Sequence, residues 1–290
     1  MSEVAVVYLA RTGSGLESLR RFLRSYERYP CGLEHDLVVV FKGFSRDCEL
    51  AEWRAELSRF PHHEFRMSDF GFDIRAYSLA ARQLSHRYLC FLNSFSEPLA
   101  AGWLRTLHRW VLEPGVGVVG CTGAWTSIFS IVEQEFAAAA TQPIFRRLLL
   151  RIKVPINRRA FPPFPNPHLR SNAFIISREL MNRVWPAFVL SKRTAYHWES
   201  GWNGFTRRVQ ASNLRVLVAG KDGLGYGVEE WPGSGTFVQG QQENLLVADN
   251  QTRGYEAADA ATRRQLSVFA WGEDLSLAHW DKQKTLPAAQ

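Results

Sequence analysis

Tyr88 to Pro98 reads YLCFLNSFSEP: five apolar residues, the polar tetrapeptide Asn93-Ser94-Phe95-Ser96, then Glu97-Pro98. A short apolar run without alternation is a strand buried on both faces, and such strands belong to parallel sheets covered by helices. The flanking sequence repeats the pattern. Strands are predicted over 4–9, 36–41 (DLVVVF), 63–67 and 116–121 (VGVVGC). Between them run helical spacings, with Leu16, Leu19, Phe22, Leu23 and Tyr26 over 13–29 and Leu50, Trp53 and Leu57 over 48–60, followed by helices over 75–84 and 103–112. Strands alternating with helices define an α/β chain with a mainly parallel sheet flanked by helices.

The second half is less regular. Helices are predicted over 127–140 and 143–152, and the five prolines of 155–168 (PINRRAFPPFPNPH) predict a stiff, irregular loop. A strand over 173–176, helices over 178–184 and 198–211, and a strand over 214–219 follow; a last helix is expected over 255–266. This pattern gives one domain over 1–225 and an irregular C-terminal segment over 226–290. With 290 residues, 46% of them apolar, the chain can bury a core of that size.

Composition removes several classes of function. The four cysteines are widely spaced with no C-x-x-C pair, so neither a disulfide framework nor a zinc site is expected, and Cys90 and Cys121 read as buried small hydrophobes. The N-terminus, MSEVAVVYLARTG, reads as a first strand rather than a signal peptide, and no apolar run has the length of a membrane span. A cytoplasmic protein, at most peripheral to the inner face of a membrane, is expected. The net charge of +7 favours anionic partners, yet no RNA-binding motif accompanies it, so nucleic acid is not expected as a partner. Gly13-Ser14-Gly15 opens a helix, but Ser18 stands where the dinucleotide fingerprint has its third glycine, and the segment reads as a tight turn.

The order of elements around YLCFLNSFSEP, through SNAFIISREL to a helix carrying Glu199-Ser200, resembles the GT-A glycosyltransferases, particularly the large inverting family 2. That resemblance implies a transferase taking a nucleotide-sugar donor and a glycan or lipid-linked glycan acceptor. The segments FPNPHLRSNAF and LLVADNQT further resemble signatures of a bacterial group associated with surface-polysaccharide synthesis. In the family, a D-x-D motif at the end of the strand holds a divalent cation (Mg or Mn) against the donor diphosphate. Here Asn93, Ser94, Phe95 and Ser96 replace the acids, and hard cations prefer carboxylate oxygens, so the tetrapeptide alone is a poor metal site. Basic side chains, another carboxylate, or a binding protein without turnover are the alternatives.

The resemblance also distributes roles. Glu199, read at a helix start, is the candidate general base, taking the proton of the acceptor hydroxyl as that oxygen attacks the anomeric carbon; a helix-start Glu favoured by the macrodipole is the competing reading. Ala10, Arg11, Asp73, Arg75, Asn93 and Ser94 are the candidate donor contacts. Lys42-Gly43 stands where an acid would read the nucleobase, which turns attention to Asp69 and Asp73 in the loop SDFGFD, although Asp73 is equally a candidate helix cap. His168, Arg170, Asn172, Trp231 and Asp249 are the candidate acceptor contacts; a turn competes for Asp249, and packing for Trp231. Finally, 143–159 (PIFRRLLLRIKVPINRR) holds six basic residues and no acid among apolar ones, a pattern that fits either a peripheral membrane contact or a core helix with a basic outer face.

Overall fold

The computed structural model describes residues 2–139, 143–186 and 189–273. Its centre is an eight-stranded sheet built from β1 (Val4–Arg11), β2 (Asp36–Lys42), β3 (His63–Met67), β4 (Tyr88–Leu92), β6 (Val116–Gly120), β9 (Ala173–Ser177), β10 (Arg215–Ala219) and β11 (Gly225–Tyr226). The order is β11-β10-β6-β9-β4-β1-β2-β3. Short pairs join β5 (Glu97–Pro98) to β12 (Val247–Ala248) and β7 (Gly123–Ala124) to β8 (His168–Leu169). This is the mainly parallel, helix-flanked α/β sheet that the GT-A resemblance implies.

Alternation along β1 explains the two layers. Ala5, Val7 and Leu9 point into one core and Val4, Val6, Tyr8 and Ala10 into the other. The second core is closed by α1 (Leu16–Arg28), α2 (Asp47–Leu57) and α4 (Trp103–Val111), whose Phe22, Trp53 and Trp103 are buried there. The first core is closed by α3 (Phe72–Gln83), α7 (Arg178–Val184), α8 (Lys192–Ser200) and α9 (Phe205–Ala211). Its centre is an aromatic stack of Tyr77, Phe91, Phe174, Trp185, Trp198 and Phe205. These six aromatic side chains are therefore core packing. Cys90 and Cys121 are buried as expected.

Two features of the sheet position the site. The chain runs outward from β1 to β2 and β3 and then returns to β4 on β1's other side, so the β1/β4 boundary is a topological switch point, where a crevice opens beyond the strands' carboxyl ends. In addition, β9 is antiparallel to both β4 and β6, with Leu92 opposite Ala173. The start of β9 thus lies beside the end of β4, and the Asn93 N–H donates to the Asn172 carbonyl at 2.8 Å.

Several boundaries differ from the sequence reading. The loop expected from 155 begins only after α6 (Ile144–Ala160), which carries Pro155 inside it. One proline costs a helix about 3 kcal/mol but does not always end it, whereas Pro162, Pro163, Pro165 and Pro167 together allow no helix. The helix expected over 198–211 is two, α8 and α9, broken at Gly201–Gly204. The last expected helix is also two, α10 (Asn250–Ala257) and α11 (Ala260–Trp271), capped by Asp249 and Asp259. The helix expected to 140 is α5 (Ile128–Ala138); Ala140 itself and residues 274–290 of the C-terminal segment lie outside the described residues. Among the described residues no helix is long and apolar enough to cross a membrane.

Candidate functional site

Beyond the carboxyl end of β4 and the start of β9 lies a cleft of about 890 Å³, whose lining includes Asp73, Asn93, His168, Ser171, Asn172 and Glu199. A smaller cavity of about 170 Å³ adjoins it and shares Asp73, Ser171 and Glu199. Ile128 and Ile131 of α5 form one apolar part of the cleft; Phe237, Tyr255, Leu266 and Phe269 from the segment after β11 form another.

Glu199 is in the last turn of α8, not at a helix start, which corrects the sequence reading. There the macrodipole opposes a negative charge, so helix position alone does not account for a carboxylate. The neighbour that holds it is Ser171: its backbone N–H and its hydroxyl both donate to Oε1, at 3.1 and 3.0 Å. Among the described residues Oε2 has no hydrogen-bond partner, and the group lines the cleft. One oxygen is thus fixed and the other is available to accept a proton.

Asp73 sits in the first turn of α3, while the N-cap position belongs to Gly71. Burial pushes the Asp73 carboxyl up to about 6, with Lys42 and Arg11 pulling it down and Glu199 and Asp69 adding to the rise. Because the folded value lies above the ordinary 3.8, folding takes up a proton between these values, and the stability lost as pH rises through that window is not regained above it. Asp73→Asn should therefore raise the melting temperature at pH 8 and leave it unchanged near pH 4; an equal shift at both pH values would contradict the assignment.

Arg11, Lys42 and Asp69 form a second cluster, at the ends of β1, β2 and β3. Arg11 donates through Nε and Nη2 to the two Asp69 oxygens, both at 2.7 Å. Lys42, fully buried, donates to the Asp69 backbone carbonyl and to Oδ1 at 3.1 Å. Gly43 allows this closure: it has φ 86°, and a Cβ there would lie 2.9 Å from Thr12 and 3.2 Å from Asp69. The Arg11 bond and then Lys42 bring the Asp69 carboxyl down to about 2, while burial lowers the Lys42 ammonium. A depressed carboxylate contributes stability that is present above pH 4 and lost as pH falls towards 2. Acid unfolding of the wild type should show that loss, and Asp69→Asn, already without it, should have a flatter melting profile in the same window. In the sequence Lys42 stands only where an acid is missing; a lysine at the end of an apolar strand is the local signal for a buried cation.

Other candidates are placed differently from expectation. Arg75 bonds the Ser68 hydroxyl at 3.0 Å and lies over Phe70, outside the cleft lining. Ala10 is wholly buried in β1, backbone included, and is paired with Phe41 in the ladder, so it is not a ligand contact. Trp231 is corrected outright: it is fully buried, its indole N–H bonds the Tyr226 carbonyl, and it packs on Gly123, where a Cβ would lie 2.5 Å from the ring. Arg170 and Asp249 border the cleft but are committed to each other. Their 2.6 Å ion pair has side-chain exposures of 10% and 1%, too little for either to serve as a free acceptor contact. Arg170 also bonds Thr122 and lies 4.1 Å over the Phe237 ring, while Asp249 Oδ1 caps α10 through the N–H groups of Gln251 and Thr252.

His168 and Asn172 do meet the cleft. His168 Nδ1 bonds the Asn166 carbonyl at 2.8 Å, which leaves Nε2 as the acceptor nitrogen, and burial holds the ring's pKa below its ordinary value. Asn172 Oδ1 accepts from Thr122 at 2.6 Å, while its buried Nδ2 has no partner.

The tetrapeptide after β4 does not fit a divalent cation. Asn93 Oδ1 is taken by the Phe95 N–H at 2.9 Å and the Ser96 hydroxyl at 3.1 Å, and Ser94 and Ser96 are buried. No group of three His, Cys, Asp or Glu side chains suited to a metal occurs among the described residues. Hard cations prefer several oxygens, carboxylates among them, and this tetrapeptide supplies no carboxylate.

No family model and no curated protein matches the chain. Among solved structures it is similar to the mannosyltransferase PcManGT from Pyrobaculum calidifontis in complex with GDP-Man and Mn2+, at 14% identity and TM-score 0.46, over 74% of this chain and 53% of that one. It is also similar to GalNAc-T7 with UDP, GalNAc and Mn2+, at 16% identity and TM-score 0.45, over 74% and 41%. A third is mouse xyloside xylosyltransferase 1 in its apo form, at 10% identity and TM-score 0.38, over 73% and 81%. The chain spans about half of the first of these and less than half of the second. Identity at this level says nothing about substrate.

Proposed function

We propose that this chain is a glycosyltransferase moving a sugar from a nucleotide-sugar donor to a hydroxyl of a growing glycan, with inversion, and that Glu199 is its general base. The observation that supports this reading is the carboxylate with Oε1 fixed by Ser171 and Oε2 free in the cleft. The acceptor hydroxyl gives its proton to Oε2 as its oxygen bonds to the anomeric carbon. The bond from that carbon to the phosphate oxygen breaks, and the nucleoside diphosphate leaves with the electron pair. The donor lies across the β1/β4 crevice, with the diphosphate near Asn93, Asn172 Nδ2 and Arg11. Arg11 can exchange partners because its pair with Asp69 is half-exposed, and such pairs contribute only about 0–1 kcal/mol. His168 Nε2 orients the acceptor, whose class is a bacterial cell-surface or lipid-linked glycan, handled on the cytoplasmic side. Within the C-terminal segment over 226–290, the described residues 226–273 close the acceptor side of the domain over 1–225.

A melting-temperature screen against UDP, GDP, CMP and dTDP sugars, each with EDTA and with Mn2+, tests the donor. A rise with one nucleotide under both conditions is expected. No rise with any nucleotide under either condition would remove the reading. The committed tetrapeptide at Asn93–Ser96 favours one alternative, a donor-binding protein without turnover; it shares the melting rise but gives no product.

A further inference from the structure

Helix α6 is nearly all surface: Leu150 is its one buried side chain. Ile144, Phe145, Leu148, Leu149, Ile152 and Ile156 are 85%, 65%, 59%, 50%, 53% and 43% exposed. At about 100° per residue these six occupy one face about 140° wide. The opposite side, with Leu150 and the half-buried Val154, is the one turned to the protein, where α6 packs along α5. The apolar stripe that would normally face a core is thus turned outward. Arg146 and Lys153 border it on one side, Arg147, Arg151 and Arg158 on the other, and Arg159 lies within it at its C-terminal end. None of these forms an ion pair among the described residues, and α6 carries no acid; the acids of the hairpin are Glu133 and Glu135 on α5.

We propose that α6 docks on an anionic lipid surface, with the stripe at the acyl boundary and the basic borders among the headgroups. An apolar face flanked by cations is the chemistry that such a surface recognises. A second copy of this chain is a poorer occupant, because a two-fold contact would bring two unneutralised basic borders together. The half-exposed Trp202 extends the face: its indole N–H bonds the Arg158 carbonyl at 3.2 Å, and it borders a depression with Ile156 and Arg159.

The docked helix also gives the cleft a direction. α5, packed along α6, supplies Ile128 and Ile131 to the cleft, and Leu266 and Phe269, partly exposed, add further apolar surface. An acceptor with a lipid anchor could keep its apolar end against these side chains while its hydroxyl reaches Glu199. This last point rests on the transferase reading; the docking does not.

Co-sedimentation of the full chain with vesicles of phosphatidylcholine alone, or with added phosphatidylglycerol, tests it. Binding to the anionic vesicles that weakens with salt is expected, with little binding to the neutral ones. Arg147→Gln, Arg151→Gln and Arg158→Gln should each lower vesicle affinity about fivefold. Leu148→Glu with Ile152→Glu, at exposed positions, should keep the melting temperature and lose at least about tenfold in affinity. No binding to anionic vesicles at low salt overturns the proposal, as does binding by the double variant equal to wild type. A wild-type dimer in light scattering that the double variant dissolves would also overturn it, in favour of a second copy. Glu199→Gln should bind vesicles as wild type does. If wild type binds vesicles but shows no nucleotide-induced melting rise, the transferase reading fails and the docking face stands.

Discussion

Glu199→Gln will lower turnover by about 10²–10⁴-fold while leaving the nucleotide-induced melting rise intact, because removing a positioned general base costs about that much. The substitution is mild for the fold. Oε1 accepts both of its bonds from Ser171, and the carbonyl of a glutamine can accept the same pair. Only the ability of the second atom to take a proton is lost. Product formation and donor binding, measured on the same preparation, separate the outcomes. Unchanged turnover with bound donor would remove Glu199 from the reaction and turn attention to Asp73 and His168, which also line the cleft and can take a proton. Loss of both readouts would mean that the carboxylate holds the cleft together.

Asp249→Ala will lower stability by about 3–5 kcal/mol, the usual consequence of leaving one member of a buried ion pair alone. Arg170 would remain almost wholly buried with Thr122 and the Phe237 ring as its neighbours and no counter-charge. The loss of the α10 cap adds about 1 kcal/mol. For a domain of this size the melting temperature should fall by on the order of 10 °C. Asp249→Asn with Arg170→Met should recover much of the loss, since asparagine still caps the helix and methionine still fills the space over Phe237. If the single variant melts within about 2 °C of wild type, less than 1 kcal/mol by the same conversion, the buried pair does not stabilise the fold as expected.

How much of this was legible depended on the range of the interactions. The strands 63–67 and 88–92, the helix 178–184 and the buried stripes Leu50-Trp53-Leu57 and Leu19-Phe22-Leu23 are present as the sequence spacing predicts. Period and burial are carried locally, by residues a few positions apart. The outward stripe of α6 shows the limit of that reasoning: spacing marks an apolar face, but what covers it is set by elements far away in the chain. The same holds for Trp231, which the sequence leaves open between acceptor contact and packing and whose ring is buried on Gly123.

The sequence by itself determined the α/β class and the core strands; the role of the segment from His168 to Asn172 rested on the resemblance alone. The sequence also showed that the residues after β4 lack the acids of a metal site. Only the tertiary structure decided that β9 runs antiparallel, which brings that segment to the carboxyl end of β4. It alone placed Ser171 on Glu199, 28 residues away, and tied Arg170 to Asp249 across 79 residues. The reason is physical: hydrogen bonds and ion pairs act over about 3 Å in space, and which distant residues come that close is fixed by strand order and direction, not by any local pattern.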